Sequence, residues 1–262
     1  MTNQEIKAIA LQQSAWELHC QPEDFLADSS RVVVSAPDTR ARAYLQLPFD
    51  CQLVSYGYGI VASVRPELVE PVRAYVETYP AVHCFETPHL HVLEETVAAH
   101  GLRICFMAEY FLPDVQRLSP RPCPYELRVL GPDVFAGLYT EAWSNALCEK
   151  RKHLDVLGVG AFDGETLAGL AACSADCESM WQIGVDVLPS YRRQGIASAC
   201  TSTLAAEILA RGKVPFYCAA WSNIKSVRNA IASGFRPAWV EMTAKSRQQV
   251  EDMNRPRAMD NE

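Results

Sequence analysis

A glycine turn between a strand-like segment and a helix-like segment constrains this chain more than any other feature. The segment reads MWQIGVDVLPSYRRQGIASACTSTLAAEILARG, and its turn lies at Gly195. After the turn, apolar residues recur at helical spacing, at Ile196, Cys200, Leu204 and Ile208. The pattern predicts a strand over 180–188 and a helix from Ile196 to Arg211 that ends at Gly212. A helix that begins directly after a strand leaves its first amide groups unpaired. The sequence therefore predicts an anion site at the turn.

Two common phosphate-binding loops do not fit this chain. A P-loop ends in Gly-Lys-Ser/Thr, which the sequence lacks, and GVGAFDG has the wrong spacing for a dinucleotide fingerprint. The stretch RRQGIAS fits a third arrangement, because Gly195 has no side chain and Ala197 only a methyl group, so a pyrophosphate can approach the backbone. Arg192 and Arg193 add positive charge. The alternative is an ordinary helix start with solvated arginines.

Three motifs in this order resemble the GNAT acyltransferase superfamily. RRQGIA is similar to its Q/R-x-x-G-x-G/A signature, VDVLPSY to its V-x-P-x-Y approach, and WSNIKSVRNAIASGF to its N-x-x-S/A motif followed by a short helix and Gly-Phe. The matching residues are Arg192, Gly195 and Ala197, then Val187, Pro189 and Tyr191, then Asn223, Ser226, Gly234 and Phe235. The resemblance covers about residues 125 to 245 and extends more loosely to a two-lobed bacterial subgroup.

The resemblance implies an α/β (α+β) fold with a mixed sheet that is flanked by helices and splays between its fourth and fifth strands. It also implies that acetyl-CoA, as co-substrate, occupies the gap. The pyrophosphate would be bound by the amides of Arg193, Gln194, Gly195, Ile196, Ala197 and Ser198. The pantetheine arm would pair with the backbone of Val185, Asp186 and Val187, as an added strand does. Asn223 and Ser226 would line the other side of the cofactor.

The proline segment LSPRPCPYE predicts a domain boundary, because Pro120, Pro122 and Pro124 remove three amide donors. We expect an N-terminal α/β lobe over 1–119, a linker over 120–124, the acyl-CoA domain over 125–245 and a polar, mobile tail over 246–262. Within the second domain we predict strands at 125–131 and 214–221, a helix over 132–150, and a hairpin with its turn at Asp163-Gly164. A helix over 226–233 and a final strand over 236–245 complete it.

The positions of the usual catalytic residues depart from the GNAT pattern, whereas the cofactor motifs match it. The position where many GNAT members place a tyrosine acid falls on Ala230, and the position of their glutamate base falls near Trp181. Neither residue can transfer a proton. Glu178 is a substitute base, or a solvated turn residue. Tyr217 and Ser222 are candidate acids, and Tyr217 could instead belong to the core. Water-mediated deprotonation remains open.

Other residues suggest weaker sites. Tyr139 and Trp143 lie four residues apart and either line an acceptor pocket or pack in the core. Cys173 and Cys218 have no histidine nearby in sequence, so strand packing is favoured over a nucleophilic role. Neighbouring His and Cys pairs lack the clusters of a structural zinc site, so we expect no metal.

Composition and charge argue against nucleic-acid binding and against a membrane span. Residues 1–124 carry 9 Lys and Arg against 15 Asp and Glu, and no basic stripe is interleaved with aromatic residues, so nucleic-acid binding is not expected. No apolar run suits a membrane span or a signal peptide. Scattered cysteines without an export signal indicate reduced thiols and a cytoplasmic protein.

Together these features predict an N-acetyltransferase that moves an acetyl group from acetyl-CoA to a small-molecule or peptide amine, with a homodimer left open. Two alternatives stay open: an acyl-CoA sensor or scaffold without turnover, and a protein-modifying enzyme whose N-terminal lobe docks a partner.

Overall fold

The structure, a computed structural model, describes residues 1–255 of the 262-residue chain. Its α-helices are α1 (Asn3–Leu18), α2 (Val69–Thr78), α3 (His89–Ala98), α4 (Pro132–Phe135), α5 (Ile196–Ala210), α6 (Ile224–Ala232) and α7 (Arg247–Asn254). Its strands are β1 (Arg31–Val34), β2 (Cys51–Ser55), β3 (Val61–Val64), β4 (Leu102–Pro113), β5 (Glu126–Leu130), β6 (Asp155–Asp163), β7 (Thr166–Ser174), β8 (Met180–Val187), β9 (Val214–Ala219) and β10 (Phe235–Ser246).

The described residues form two compact units. The glycine-loop unit comprises residues 1–13, 40–45 and 109–238, and the second unit comprises 14–39, 46–108 and the described residues from 239 onward. This division differs from the predicted one. Residues 1–13, 40–45 and 109–119 belong to the glycine-loop unit rather than to a separate N-terminal lobe, and residues 239–245 belong to the second unit.

The proline segment 120–124 lies inside the glycine-loop unit and is not a linker between the units. No helix or strand covers it, as the prolines predicted. It nevertheless packs on neighbouring helices, because the Arg121 amide donates to Ser202 Oγ at 3.0 Å and Arg121 Nε donates to the Ala232 carbonyl at 2.8 Å.

The glycine-loop unit contains a mixed sheet in the order β4-β9-β8-β7-β6-β5. Strands β8 and β9 are parallel, whereas the other neighbours with a described register are antiparallel. The sheet is covered on one face by α5, whose stripe of Ile196, Cys200, Leu204 and Ile208 is buried. These strands and helices confirm the α/β architecture, the predicted stripe and the hairpin at Asp163-Gly164.

The predicted helix over 132–150 is wrong. Only α4 forms at its start, and two short 3-10 segments follow at Glu141–Trp143 and Glu149–Leu154. The amides of Asn145 and Ala146 donate to the Asp186 carboxylate at 2.8 and 2.9 Å. A side chain on β8 therefore takes the hydrogen bonds that a continuous helix would have required.

The second unit has a mixed sheet in the order β1-β3-β2-β10. Helices α2 and α3 contribute Val72, Val76, Leu93 and Val97 to its core. The tail prediction is wrong over 247–254, where α7 forms. Ser246 caps that helix, since its Oγ accepts from the Gln249 amide at 3.3 Å. The rest of the predicted tail, 256–262, lies outside the described residues.

No helix within residues 1–255 combines the length and the apolar character needed to cross a membrane.

Candidate functional site

The sheet of the glycine-loop unit opens between β8 and β9. The two strands pair from Met180 with Val214 to Ile183 with Tyr217 and no further, whereas β9 pairs with β4 along its opposite edge from Tyr217 to Ala219. Residues 184–187 stay paired with β7 but have no β9 partner in the described register. We call this gap the opening. Its free strand edge can accept an extended amide-bearing chain by main-chain hydrogen bonding.

The glycine loop lies at the wide end of the opening. Gly195 is the N-cap of α5, with φ 82°, and Arg193 also has a positive φ, of 65°. A Cβ on Gly195 would have only the Pro122 carbonyl oxygen nearby, at 3.9 Å. Left-handed backbone at a non-glycine residue is strained and is often found at binding loops.

The first amides of α5 are available to a ligand. Among residues 1–255, no acceptor is found for the amides of Arg193 through Ser198, and the first bond of the helix runs from the Ala199 amide to the Gly195 carbonyl at 3.0 Å. Ile196 anchors the turn, because Gly169 on β7 has no side chain and leaves room for it. The Tyr125 hydroxyl donates to Gln194 Oε1 at 2.8 Å. These contacts of Ile196 and Gln194 fix the loop, while its amides have no acceptor among the described residues.

A cationic cleft of about 420 Å³ surrounds these amides. It is lined by residues of the glycine loop and of α6, including Arg192, Arg193, Lys225 and Arg228. None of these four cations forms an ion pair with a described carboxylate, and no acidic residue lines the cleft. Free amides at a helix N-terminus and four cations together suit a ligand with several phosphate groups.

A pair of hydroxyl groups lies at the narrow end of the opening. Tyr217 occupies the last paired position of β9, and its Oη lies 2.8 Å from Ser226 Oγ on the first turn of α6. Burial raises the pKa of Tyr217, and its hydrogen bonds with the Ser226 and Asn229 side chains offset only part of this rise. Tyr217 therefore remains protonated at neutral pH. Its ring is also part of the core, as the packing alternative predicted, and its role as an acid stays a prediction.

Asn223 and Ser226, which the sequence placed beside the cofactor, are arranged around the start of α6. Asn223 Oδ1 accepts from the Ser226 amide at 3.3 Å, so Asn223 acts as the N-cap. Ser226 lies three residues before Asn229, which lines the cleft, and so shares its helix face. Ser222 is exposed in the turn before α6.

Glu178 is not placed at the opening. It is exposed in the turn before β8, and Met180, where β8 begins, is already roughly 16 Å along the strand from Val185 at about 3.3 Å per residue. The solvated-turn alternative holds for Glu178. Ala230 is buried and Trp181 lies on β8, so the two positions of the usual proton-transfer residues carry no ionisable group here.

The side chain of Asp186 has a structural role. Its carboxylate accepts three hydrogen bonds, two from the amides of Asn145 and Ala146 and one from Asn145 Nδ2 at 2.7 Å. Gly184 permits this contact, because a Cβ there would lie 1.9 Å from the Asn145 carbonyl oxygen. The 145–146 segment therefore covers β8 beside the free edge. Along that edge Val185 and Asp186 have no β9 partner in the described register, whereas the Val187 carbonyl accepts a hydrogen bond from Arg192 Nε at 3.1 Å.

The remaining candidates are explained by packing. Trp143 is buried in the apolar cluster with Leu147 and Leu170, and the Tyr139 hydroxyl donates to Asp155 Oδ2 at 3.2 Å. Cys173 is buried, and burial raises its thiol pKa well above the usual range. Cys218 Sγ accepts from Gln182 Nε2 at 3.1 Å. In the described part of the chain, no three His, Cys, Asp or Glu side chains are grouped to hold a metal ion.

Sequence reasoning missed Lys225 and Arg228 in the cleft and Gly184 beside Asn145. The two cations could have been found, because they lie three residues apart on a helix whose N-cap matched a cofactor motif. The contact at Gly184 had no local signal, since it depends on a distant segment.

A protein-family model described as GNAT acetyltransferase matches residues 111–238. The chain contains a GNAT acetyltransferase domain. Its start precedes the predicted residue 125 and includes the end of β4, and its final residue is also the last residue of the glycine-loop unit. This match supports N-acetyltransferase activity in general.

Several solved structures are similar to this chain. A GCN5-related N-acetyltransferase from Kribbella flavida is 16% identical over 92% of this chain and 96% of that chain, with a TM-score of 0.47. A GCN5-related N-acetyltransferase-like protein from Streptococcus suis is 20% identical over 62% and 69%, with a TM-score of 0.44. An acetyltransferase of the GNAT family from Colwellia psychrerythraea is 16% identical, with a TM-score of 0.42. The match to it covers 55% of this chain and 57% of that protein, so less than two thirds of its length is spanned. No curated protein matches the chain in sequence.

Proposed function

We propose that this protein is an acetyl-CoA-dependent N-acetyltransferase that acts on a primary amine of a small molecule or peptide. The proposal rests on the GNAT family match together with one structural observation. The opening beyond Ile183 and Tyr217 leads from the free amides of the glycine loop to a hydroxyl pair. That order corresponds to the order of groups in an acyl-CoA, from pyrophosphate through pantetheine to thioester.

Each part of the cofactor has a binding group of suitable chemistry. The amides of Arg193 through Ser198 take the pyrophosphate at the positive end of α5. The free edge of residues 184–187 takes the two amides of pantetheine, as in strand addition. Lys225 and Arg228 lie on the far wall of the cleft and suit further phosphate oxygens.

The transfer requires no covalent enzyme intermediate. The amine nitrogen attacks the thioester carbon, the carbon–sulfur bond breaks, and the electron pair goes to sulfur. Because Glu178 is remote and the Asp186 carboxylate accepts three hydrogen bonds, the proton of the amine leaves to water. We expect kcat/KM to rise with pH until the pKa of the free amine is reached, since only the neutral amine is a nucleophile.

A thiol-release assay with acetyl-CoA and a panel of amines tests the proposal. The panel contains polyamines, amino acids, aminoglycosides and lysine peptides, and mass spectrometry identifies the acetylated product. Amine-dependent release of CoA supports the proposal. Binding of CoA without release by any amine would contradict it.

A non-catalytic acyl-CoA sensor or scaffold is the second candidate. It is favoured by Ala230 and Trp181 at the positions of the usual acid and base. The same assay separates the two candidates, because a sensor binds acetyl-CoA with no turnover. We also propose a cytoplasmic location, which the ten unbridged cysteines support. A peptide or protein acceptor, and a homodimer, remain proposals without a described contact.

A further inference from the structure

The hydroxyl pair at the narrow end of the opening has a directional geometry. Tyr217 is 4% exposed, whereas Ser226 is half-buried on the first turn of α6. The Oη to Oγ distance of 2.8 Å is that of a good hydrogen bond. If Tyr217 donates in this bond, the hydrogen of Ser226 is free to point elsewhere.

Either hydroxyl can donate in this bond, and we take Tyr217 as the donor. Its neutral form persists through physiological pH, because burial raises its pKa. The backbone around Ser226 is fixed independently of its side chain, since its amide is bound by Asn223 Oδ1. Asn229 Nδ2 donates to Thr201 Oγ1 at 3.1 Å, which fixes the amide group next to Tyr217. The pair is thus preorganised, and preorganised donors are effective where charge develops.

We propose that Ser226 donates a hydrogen bond to the departing thiolate of CoA and that Tyr217 acts behind it as a positioning residue. This inference rests on the proposed binding of acyl-CoA in the opening. Pantetheine that pairs with residues 187 to 184 places its sulfur at the Ile183–Tyr217 end, beside Ser226. The pair then supplies the hydroxyl hydrogen-bond donor that Ala230 lacks.

The step balances without transfer of a proton from the protein. The nitrogen–carbon bond forms, the carbon–sulfur bond breaks, and the thiolate carries the negative charge while Ser226 Oγ–H donates to it. Tyr217 keeps its proton and holds the Ser226 hydroxyl in orientation. The proton released by the amine goes to water, and CoA thiolate takes one from water on release. A thiolate is a weak enough base to leave at neutral pH when it is stabilised, without full protonation.

The first measurement is the pKa of the CoA thiol when bound, followed by the ultraviolet absorbance of the thiolate, which requires no turnover. We expect a bound pKa below that of free CoA in the wild-type protein and a rise of about one unit, equivalent to a tenfold loss, in Ser226→Ala. Ser226→Thr retains the hydroxyl and restores the wild-type value. Equal pKa values in wild type and Ser226→Ala would overturn the inference.

The second measurement is turnover. Ser226→Ala is expected to lower kcat about 10- to 100-fold with little change in KM for acetyl-CoA. The reason is that the Ser226 hydroxyl forms its hydrogen bond to the leaving group only as that group becomes charged. Tyr217→Phe should cost less, and the double variant should be no slower than Ser226→Ala, since Tyr217 acts through Ser226. Full loss of turnover in Tyr217→Phe, together with wild-type turnover in Ser226→Ala, would reverse the two roles and contradict the proposal.

Tyr75→Phe is the matched control. It also removes a buried tyrosine hydroxyl, one that donates to the Cys84 carbonyl at 2.9 Å in the second unit, and should leave both measurements unchanged. If wild-type protein does not bind CoA, the proposed function fails; if it binds CoA and Ser226→Ala equals wild type in both measurements, only this inference fails. Should Ser226→Ala not fold, Tyr217→Phe decides: an unchanged thiol pKa in that variant contradicts the positioning role.

Discussion

Gly195→Val is the substitution that best separates a ligand-binding turn from an ordinary helix start. The residue has φ 82°, and the space around its missing Cβ is open except for the Pro122 carbonyl at 3.9 Å. A valine there meets no protein atom closely, so the cost to folding comes from left-handed backbone, about 1–2 kcal/mol or somewhat more for a β-branched residue.

The cost to binding is larger. The valine side chain occupies the space in front of the free amides, where phosphate oxygens must approach. Loss of two charge-assisted hydrogen bonds, at about 1.5–3 kcal/mol each, corresponds to a hundredfold or greater loss of CoA affinity at about 1.4 kcal/mol per factor of ten. Isothermal titration with CoA measures this loss, and thermal unfolding measures the strain.

Gly164→Val is the matched control. Gly164 also has a positive φ, 59°, with no atom within 4 Å of a built Cβ, and it lies in the β6–β7 hairpin of the same unit. Both variants should lose similar stability, and only Gly195→Val should lose CoA binding. A folded Gly195→Val protein with wild-type affinity, or equal losses of affinity in the two variants, would refute the role assigned to the loop.

Three further tests address the cleft, the Gly184 contact and the Asp155 carboxyl. Lys225→Ala with Arg228→Ala should weaken CoA binding about tenfold and reduce its dependence on salt, because exposed charges contribute about 1 kcal/mol or less each; titration at two ionic strengths checks this, and an unchanged salt slope would contradict it. Gly184→Ala should destabilise the protein by about 1–3 kcal/mol in denaturant unfolding, since its Cβ would meet the Asn145 carbonyl at 1.9 Å; wild-type stability would show that the segment moves aside freely. Asp155→Asn tests a carboxyl whose pKa is raised, chiefly by burial. A raised pKa in the folded state makes wild-type stability fall as pH rises above the pKa of the unfolded chain, so the stability of Asp155→Asn relative to wild type should increase from pH 4 to pH 7, and a constant difference would be the contrary result.

The sequence predicted the elements around the glycine loop well, for identifiable reasons. Gly195, Gly212 and Gly234 all have positive φ and mark helix ends, as their positions in the sequence indicated. The stripe from Ile196 to Ile208 has a single helical period and is buried as expected. Local signals of this kind do not depend on the rest of the chain.

The errors arose where distant residues override local preference. Residues 132–150 have helical composition, but Asp186 draws the amides of Asn145 and Ala146 to β8. The proline segment looked like a linker because its contacts, to Ser202 and Ala232, are with segments far along the chain. Glu178 was chosen by its place in the sequence, and only the register of β8 shows that it lies at the wrong end of the strand.

The division into units could not be read from composition. Residues 1–13 and 40–45 belong to the glycine-loop unit although they are separated from it in sequence by most of the second unit. An expressed fragment of residues 1–119 would therefore lack β5 to β10 and would include only part of either unit. Tests of CoA binding need the full chain.

Hydrogen exchange with and without CoA, followed by mass spectrometry, tests most directly the claim that the opening holds the cofactor. We expect CoA to slow exchange in two peptides, one covering residues 184–188 and the other covering 192–199, because strand pairing and phosphate binding protect those amides. Peptides from the β6–β7 hairpin around Gly164 should be unaffected. CoA binding that protects neither peptide, or protects only peptides outside the glycine-loop unit, would contradict the account.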